Sequence, residues 1–245
     1  MIFLFRNYSE KPDTDLRPVT ERGRELFKKY DLEKLKGRIS AKTFRDGISY
    51  LDLLDQIPKE ALVRAGSKGP WVDVGSRDFA YAWSLSIYLE SKSMVWDGLE
   101  GIEVTGTKFF KDLSTPKKRA DFHLSDLSRV YPQKRFRYHA KDVRSQPMTA
   151  SGIFWFFPFV TLSAHKKWGL SARDFNPSET LKSVQAPVWI VANFTQTEAE
   201  LFRNEMAKAH PSYSRVFSQV IEGGLHPSPH PIVISVWSAE SKPNA

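Results

Sequence analysis

The spacing of apolar residues changes near residue 70. Before that point they recur at helical spacing; after it, short apolar runs alternate with amphipathic stretches. Residues 1–18 carry Pro12 and Pro18 and read as an extended arm. Thr20 then caps a predicted helix whose Leu26, Phe27 and Tyr30 share a face. Ser40 caps a second, with Phe44, Ile48, Leu51 and Leu54 at helical spacing and Pro58 marking its end. Gly66 to Pro70 reads as a loop.

From Trp71 onward the pattern predicts strands at 71–75, 101–104, 135–140, 153–160 and 187–192. Helices are predicted at 79–89, 120–130, 162–168, 178–184 and 197–209. Strand and helix in strict alternation argue for a parallel sheet with crossover helices. The ending breaks the rule. Segments 213–221 and 232–237 are both strand-like with no helix between them, only a linker carrying Gly223, Gly224 and three prolines. Such a connection predicts an antiparallel pair at the sheet edge.

Composition narrows the class. With 41% hydrophobic and 26% charged residues the chain can bury a core, which excludes a disordered protein. There is no cysteine, so disulfides, zinc–thiolate sites and a cysteine nucleophile are excluded. The opening MIFLF is too short for a signal-peptide core, and the longest apolar stretch, Gly152 to Leu162, is too short to span a bilayer. The expectation is a cytoplasmic protein with no membrane partner. The net charge is +8, spread from Arg22 to Lys208, with one tight cluster at Lys117, Lys118 and Arg119. Dispersed charge of this kind makes nucleic acid an admissible partner but not a favoured one.

Candidate chemistry gathers at the strand ends. Val72-Asp73-Val74-Gly75-Ser76 is a buried strand that stops at a glycine before a helix, a turn where a ligand can approach the backbone closely. Glu103 stands near the end of the next strand, placed to accept hydrogen bonds from ribose hydroxyls. Asp142 follows the third strand, within reach of an adenine. An acid or a glycine at three successive strand ends forms a nucleoside-binding constellation.

In order, WVDVGS, GIEVTG, YHAKDV, FWFFPFV and VWIVANFTQTEAE resemble the successive motifs of class I S-adenosylmethionine-dependent methyltransferases, over roughly residues 70–238. FFPFV, KKWGLSARDFNP and VANFTQTEAE are also similar to parts of an uncharacterised bacterial methyltransferase-like group. The resemblance implies an α/β Rossmann-like methyltransferase fold. Its seven-stranded sheet would be mostly parallel, with an antiparallel C-terminal pair and helices on both faces. It implies an N-terminal arm and helical cap over residues 1–69 and a catalytic domain over 70–245. It also implies S-adenosylmethionine held by Asp73, Gly75, Ser76, Glu103 and Asp142. The family's GxGxG keeps only Gly75. Arg77 and Phe79 stand where the second and third glycines fall, and Arg77 either narrows the path of the methionine tail or binds its carboxylate.

The acceptor side is less defined. Phe157 and Phe159 fall near the end of the fourth strand, His165 just beyond it and Asn193 at the end of the fifth, so these four are the candidate substrate-binding residues. Phe156 and Phe157 replace the polar residue and the first proline found in enzymes that methylate the amino groups of bases. His226 and His230 lie four apart in the last linker, without further ligands for a metal. No catalytic residue is assigned and no metal is expected. A nicotinamide-dependent dehydrogenase is disfavoured by the missing GxGxxG turn and by the final strand pair. Two alternatives stand beside the methyltransferase reading: a non-catalytic binding protein on the same fold, and an RNA-directed methyltransferase.

Overall fold

The computed structural model describes residues 10–66, 69–105, 114–145, 147–167 and 170–239. Residues 1–9 of the expected arm and Trp168 of the expected fifth helix lie outside these. The main sheet has seven strands: β1 (Pro70–Val74), β2 (Gly98–Ile102), β3 (Arg135–His139), β4 (Gly152–Phe156), β5 (Val188–Asn193), β6 (Tyr213–Ile221) and β7 (Ile232–Ala239). Their order across the sheet is β3-β2-β1-β4-β5-β7-β6. The first five are parallel. The last, β7, is inserted between β5 and β6 and runs antiparallel to both. The mostly parallel sheet with an antiparallel C-terminal pair is therefore present, with β1 in its interior and β6 at the edge. Two short strands, Met148–Thr149 and Val184–Gln185, form a separate parallel pair.

Among the described residues the α-helices are α1 (Glu21–Lys29), α2 (Ala41–Asp55), α3 (Ala82–Ser91), α4 (Pro116–Val130), α5 (Leu162–Lys167), α6 (Pro177–Lys182) and α7 (Gln196–Ala209). Thr20 and Ser40 cap α1 and α2 as expected, accepting from the amides of Gly23 and Thr43. Two apolar clusters lie on opposite faces of the sheet. One joins Leu26, Leu51, Leu85 and Leu124, from α1 to α4, to sheet residues such as Trp71, Phe154 and Ile190. The other joins Leu181, Phe202 and Met206, from α6 and α7, to Val72, Ile153 and Trp189. Alternate residues of one strand thus feed different cores, as the two-residue repeat of a strand dictates.

Several boundaries depart from the apolar pattern, among them the start of α4 at Pro116 instead of 120, and three have a clear local reason. The second strand starts at Gly98, three residues before the expected 101, because its glycines dilute the apolar signal. A Cβ at Gly98 would sit 2.4 Å from the Arg135 carbonyl oxygen, and one at Gly101 would sit 2.7 Å from Ser76 Oγ. The fourth strand stops at Phe156 instead of 160: Phe157 is left-handed (φ +57°) and Pro158 has no amide to donate. Helix α3 starts at Ala82 instead of Phe79, because the chain between them winds through left-handed residues.

Candidate functional site

That winding builds the floor of a cleft. Gly75, Arg77 and Phe79 have φ of +75°, +52° and +56°. Left-handed backbone costs a non-glycine residue about 1 kcal/mol or more, so the surroundings must hold it. The amides of Gly75 and Ser76 both donate to the Ile102 carbonyl, at 2.8 and 3.1 Å, pinning the turn to the end of β2. Phe79 is fully buried. The turn thus holds two non-glycine side chains in left-handed backbone.

The cleft encloses about 420 Å³ beyond the carboxyl ends of β1, β2 and β4, within the range of small-molecule sites. Gly75, Arg77, Glu103 and Asp142 form a polar set in its lining; Phe157, Phe159 and His165 belong to an aromatic set. Asp73, Ser76 and Asn193, which the sequence grouped with them, are buried behind the wall.

Each acid on or behind the polar half has a defined environment. Glu103 Oε2 accepts from the Arg77 amide at 3.0 Å, and its Oε1 accepts from the Thr105 amide and hydroxyl at 2.8 and 2.7 Å. Asp142 is held by Arg144, whose guanidinium and amide both donate to it, and this pairing pulls its pKa below the ordinary carboxylate value. Asp73 Oδ2 accepts from the Tyr81 hydroxyl at 2.6 Å, while Oδ1 has no partner. Complete burial pushes the Asp73 carboxyl well above its ordinary pKa; the Tyr81 bond opposes the rise and the charge of Glu103 adds to it.

The other half is aromatic. Tyr50, from α2, stacks on Tyr81 at 3.9 Å between ring centroids. Phe157 stacks on Phe194 at the same distance. His226 lies 4.7 Å from Phe157, with Tyr50 edge-on to it at 5.9 Å. His165 Nε2 donates to the Ser171 carbonyl at 2.8 Å, so that nitrogen is already committed. Asn193 does not cap α7. Thr195 does, accepting from the Glu198 amide, and both polar atoms of the Asn193 side chain are buried without a partner.

Tyr50, Tyr81, Trp155, Phe175, Phe194 and His226 also line the cleft, and the sequence does not mark them as site residues. Their signals were weak: an aromatic residue in an otherwise ordinary amphipathic helix, and one histidine in a proline-rich linker. Among the described residues no cluster of metal-ligating side chains occurs, and no helix is long and apolar enough to cross a membrane.

No protein-family model matches the chain, and no curated protein matches it by sequence. Solved structures do. A candidate RNA methyltransferase from Pyrococcus horikoshii superposes with a TM-score of 0.52 at 13% identity, covering 91% of this chain and 100% of that one. The 16S rRNA methylase RmtB superposes with a TM-score of 0.50 at 13% identity, covering 91% of this chain and 77% of that one. With its strand order and the cleft beyond the parallel strand ends, the chain has the fold of the class I methyltransferases.

Proposed function

We propose that the protein is an S-adenosylmethionine-dependent methyltransferase acting on an acceptor that enters the aromatic half of the cleft. The observation that carries this reading is the pairing, on one wall, of the Gly75 backbone with the Glu103 carboxylate at the ends of adjacent strands. The residues fit the cofactor. A Cβ at Gly75 would meet nothing nearer than Trp155 Nε1 at 3.8 Å, so the backbone lies open to a ligand. Glu103 faces the ribose position, and Asp142 with Val143 lines the region expected for the adenine. Arg77, on the cleft wall beside Gly75, is the cation we assign to the methionine carboxylate. The bound cofactor would supply an electrophilic methyl group on a sulfonium; the chain's task is to align a nucleophile with it and exclude water.

Glu103 has less to offer the ribose than its position suggests. A carboxylate has about four acceptor directions, and three are occupied by Arg77 and Thr105. One remains, on Oε2, for a single hydroxyl. Asp73 acts from behind the wall, fixing Tyr81 in the stack with Tyr50. Helices α1 and α2 form the cap, with Tyr50 as the residue it contributes to the cleft.

The open backbone at Gly75 beside the Glu103 carboxylate supports the catalytic reading over the non-catalytic alternative. An RNA acceptor is the second reading. It is favoured by Arg77, Lys141 and Arg144 on the cleft wall and by Lys166 and Lys167 on α5. Calorimetry with S-adenosylhomocysteine tests the proposal directly: saturable one-to-one binding is expected, and its absence hands the case to the non-catalytic reading.

A further inference from the structure

Among the described rings of the cleft wall, Tyr50 and His226 are titratable side chains with no hydrogen bond to the protein, and burial holds the Tyr50 hydroxyl protonated. His226 sits in the β6–β7 connection, against Phe157, Phe194 and Tyr50. Its Nδ1 is sealed from solvent and makes no hydrogen bond. Nε2 is not among the sealed atoms, and His226 lines the cleft, so Nε2 is the nitrogen left to meet a ligand there. His165, the other histidine on this wall, spends its Nε2 on the Ser171 carbonyl. The loop that carries His226 is fastened in place: the Leu225 amide donates to Asp52 Oδ2 at 2.8 Å, and Asp52 Oδ1 accepts from Arg22 Nε at 2.7 Å. The imidazole is therefore positioned rather than draped over the opening.

We infer that His226 is the proton acceptor for a planar aromatic substrate, one bearing a phenol-type hydroxyl or a heteroaromatic N–H, seated against the rings of Tyr50, Phe157 and Phe194. This rests on the methyltransferase reading and gives it a substrate class. Flat ring walls favour a flat apolar acceptor, and an uncommitted imidazole nitrogen favours one with a proton to lose. In the step, a lone pair on the acceptor oxygen or nitrogen forms a bond to the methyl carbon. The carbon–sulfur pair stays on sulfur as a thioether. The O–H or N–H pair stays on the acceptor atom, and its proton passes to Nε2.

One positive charge is present before the step, on the sulfonium, and one after it, on the imidazolium. The ring faces can stabilise a cation in either place. Burial pushes the His226 pKa down to about 4, which keeps the imidazole neutral at neutral pH, and the same burial weakens it as a base until a neighbouring charge or hydrogen bond favours the imidazolium. The only titratable group among the rings packed against it is Tyr50, whose burial drives its own pKa upward and keeps it uncharged.

The test uses the full chain and 7-hydroxycoumarin, a flat fluorescent phenol, with 7-methoxycoumarin as the control that has no proton to give. S-adenosylhomocysteine binding is measured first, and its failure sinks the methyltransferase reading together with this inference. Given that binding, 7-hydroxycoumarin should bind and be methylated. His226→Phe, which keeps a ring in the cluster, should slow methylation by roughly a hundredfold or more. It should leave the affinities for S-adenosylhomocysteine and 7-methoxycoumarin unchanged. His226→Gln, which keeps a polar group but cannot take the proton, should be equally slow. Should the phenol fail to bind while S-adenosylhomocysteine does, or should both variants methylate at the wild-type rate, the inference falls and the methyltransferase reading survives it.

Discussion

The two halves of the cleft are built on opposite plans. The polar half is local: Gly75, Arg77 and Glu103 come from two neighbouring strand ends, and the backbone of one turn is tied to the carboxylate of the next. The aromatic half is assembled from afar. Tyr50 comes from the cap, Tyr81 from the start of α3, Phe157 and Phe194 from two strand ends, and His226 from the last hairpin. A site for a ligand of fixed shape can be written as a short motif. A site for an acceptor that differs from enzyme to enzyme needs no such motif and can be varied segment by segment.

The sharpest way to break this comparison is Glu103→Ala. Losing one charge-assisted hydrogen bond to ribose should weaken S-adenosylhomocysteine binding roughly 10- to 150-fold by calorimetry. The affinity for 7-hydroxycoumarin should stay where it was. Because the Arg77 and Thr105 amides lose their acceptor as well, the folded state should also lose about 1–3 kcal/mol in urea titrations. Equal losses for both ligands would mean that the halves are one unit.

Arg77→Gly comes next. Relief of a left-handed arginine and the added freedom of the unfolded chain should nearly cancel, leaving stability within about 1 kcal/mol. S-adenosylhomocysteine should bind about tenfold more weakly. 5′-Methylthioadenosine, which has no carboxylate, should bind as before. If both ligands weaken alike, Arg77 shapes the turn and does not hold the tail.

Phe194→Ala probes the other half. Removing one partner of the stacked pair with Phe157 should weaken 7-hydroxycoumarin binding by about two- to tenfold. A parallel loss of S-adenosylhomocysteine affinity would show that the ring supports the cofactor instead.

The smallest effects are in the pH dependence of stability, and the two halves should differ in sign. The Asp73 pKa is raised in the folded state, so the stability it contributes is present below the ordinary value of 3.8 and is lost as pH rises through the folded value. The His226 pKa is lowered from 6.5 to about 4, so stability is lost as pH falls across that interval. Asp73→Asn should therefore flatten the alkaline side of the profile and His226→Phe the acid side. Urea midpoints for the two variants at pH 4.5, 6 and 8 decide the matter; deviations of the same sign would rule out these assignments.

The contrast also explains what the sequence disclosed. The alternation of strands and helices, the open hairpin at the end and the glycine after β1 are local signals, and the mostly parallel sheet with its antiparallel final pair follows from them. Gly75, Glu103 and Asp142 were legible because they fall at predictable strand ends. The second strand was misplaced because its glycines answer to Arg135 and Ser76, neighbours that lie far along the chain. Asp73 was read as a ligand-facing acid, but its side chain points to Tyr81, a partner that depends on how α3 begins. Tyr50 and His226 could not be joined in advance, since no periodicity links a helix in the cap to a loop 176 residues later.

The bond from the Leu225 amide to Asp52 has a consequence for time as well as for shape. Asp52 is shared between that loop and Arg22, which also holds Asp55. The loop cannot lift away without releasing an acceptor that the first two helices also use. In deuterium exchange, the Leu225 amide should therefore be slow for a residue in a glycine-rich turn, and it should exchange together with amides of α2. Arg22→Ala should quicken both by the same factor. The turnover of substrate through the aromatic door would then be timed by the opening of the N-terminal helices, even though the hinge and the door are at opposite ends of the chain.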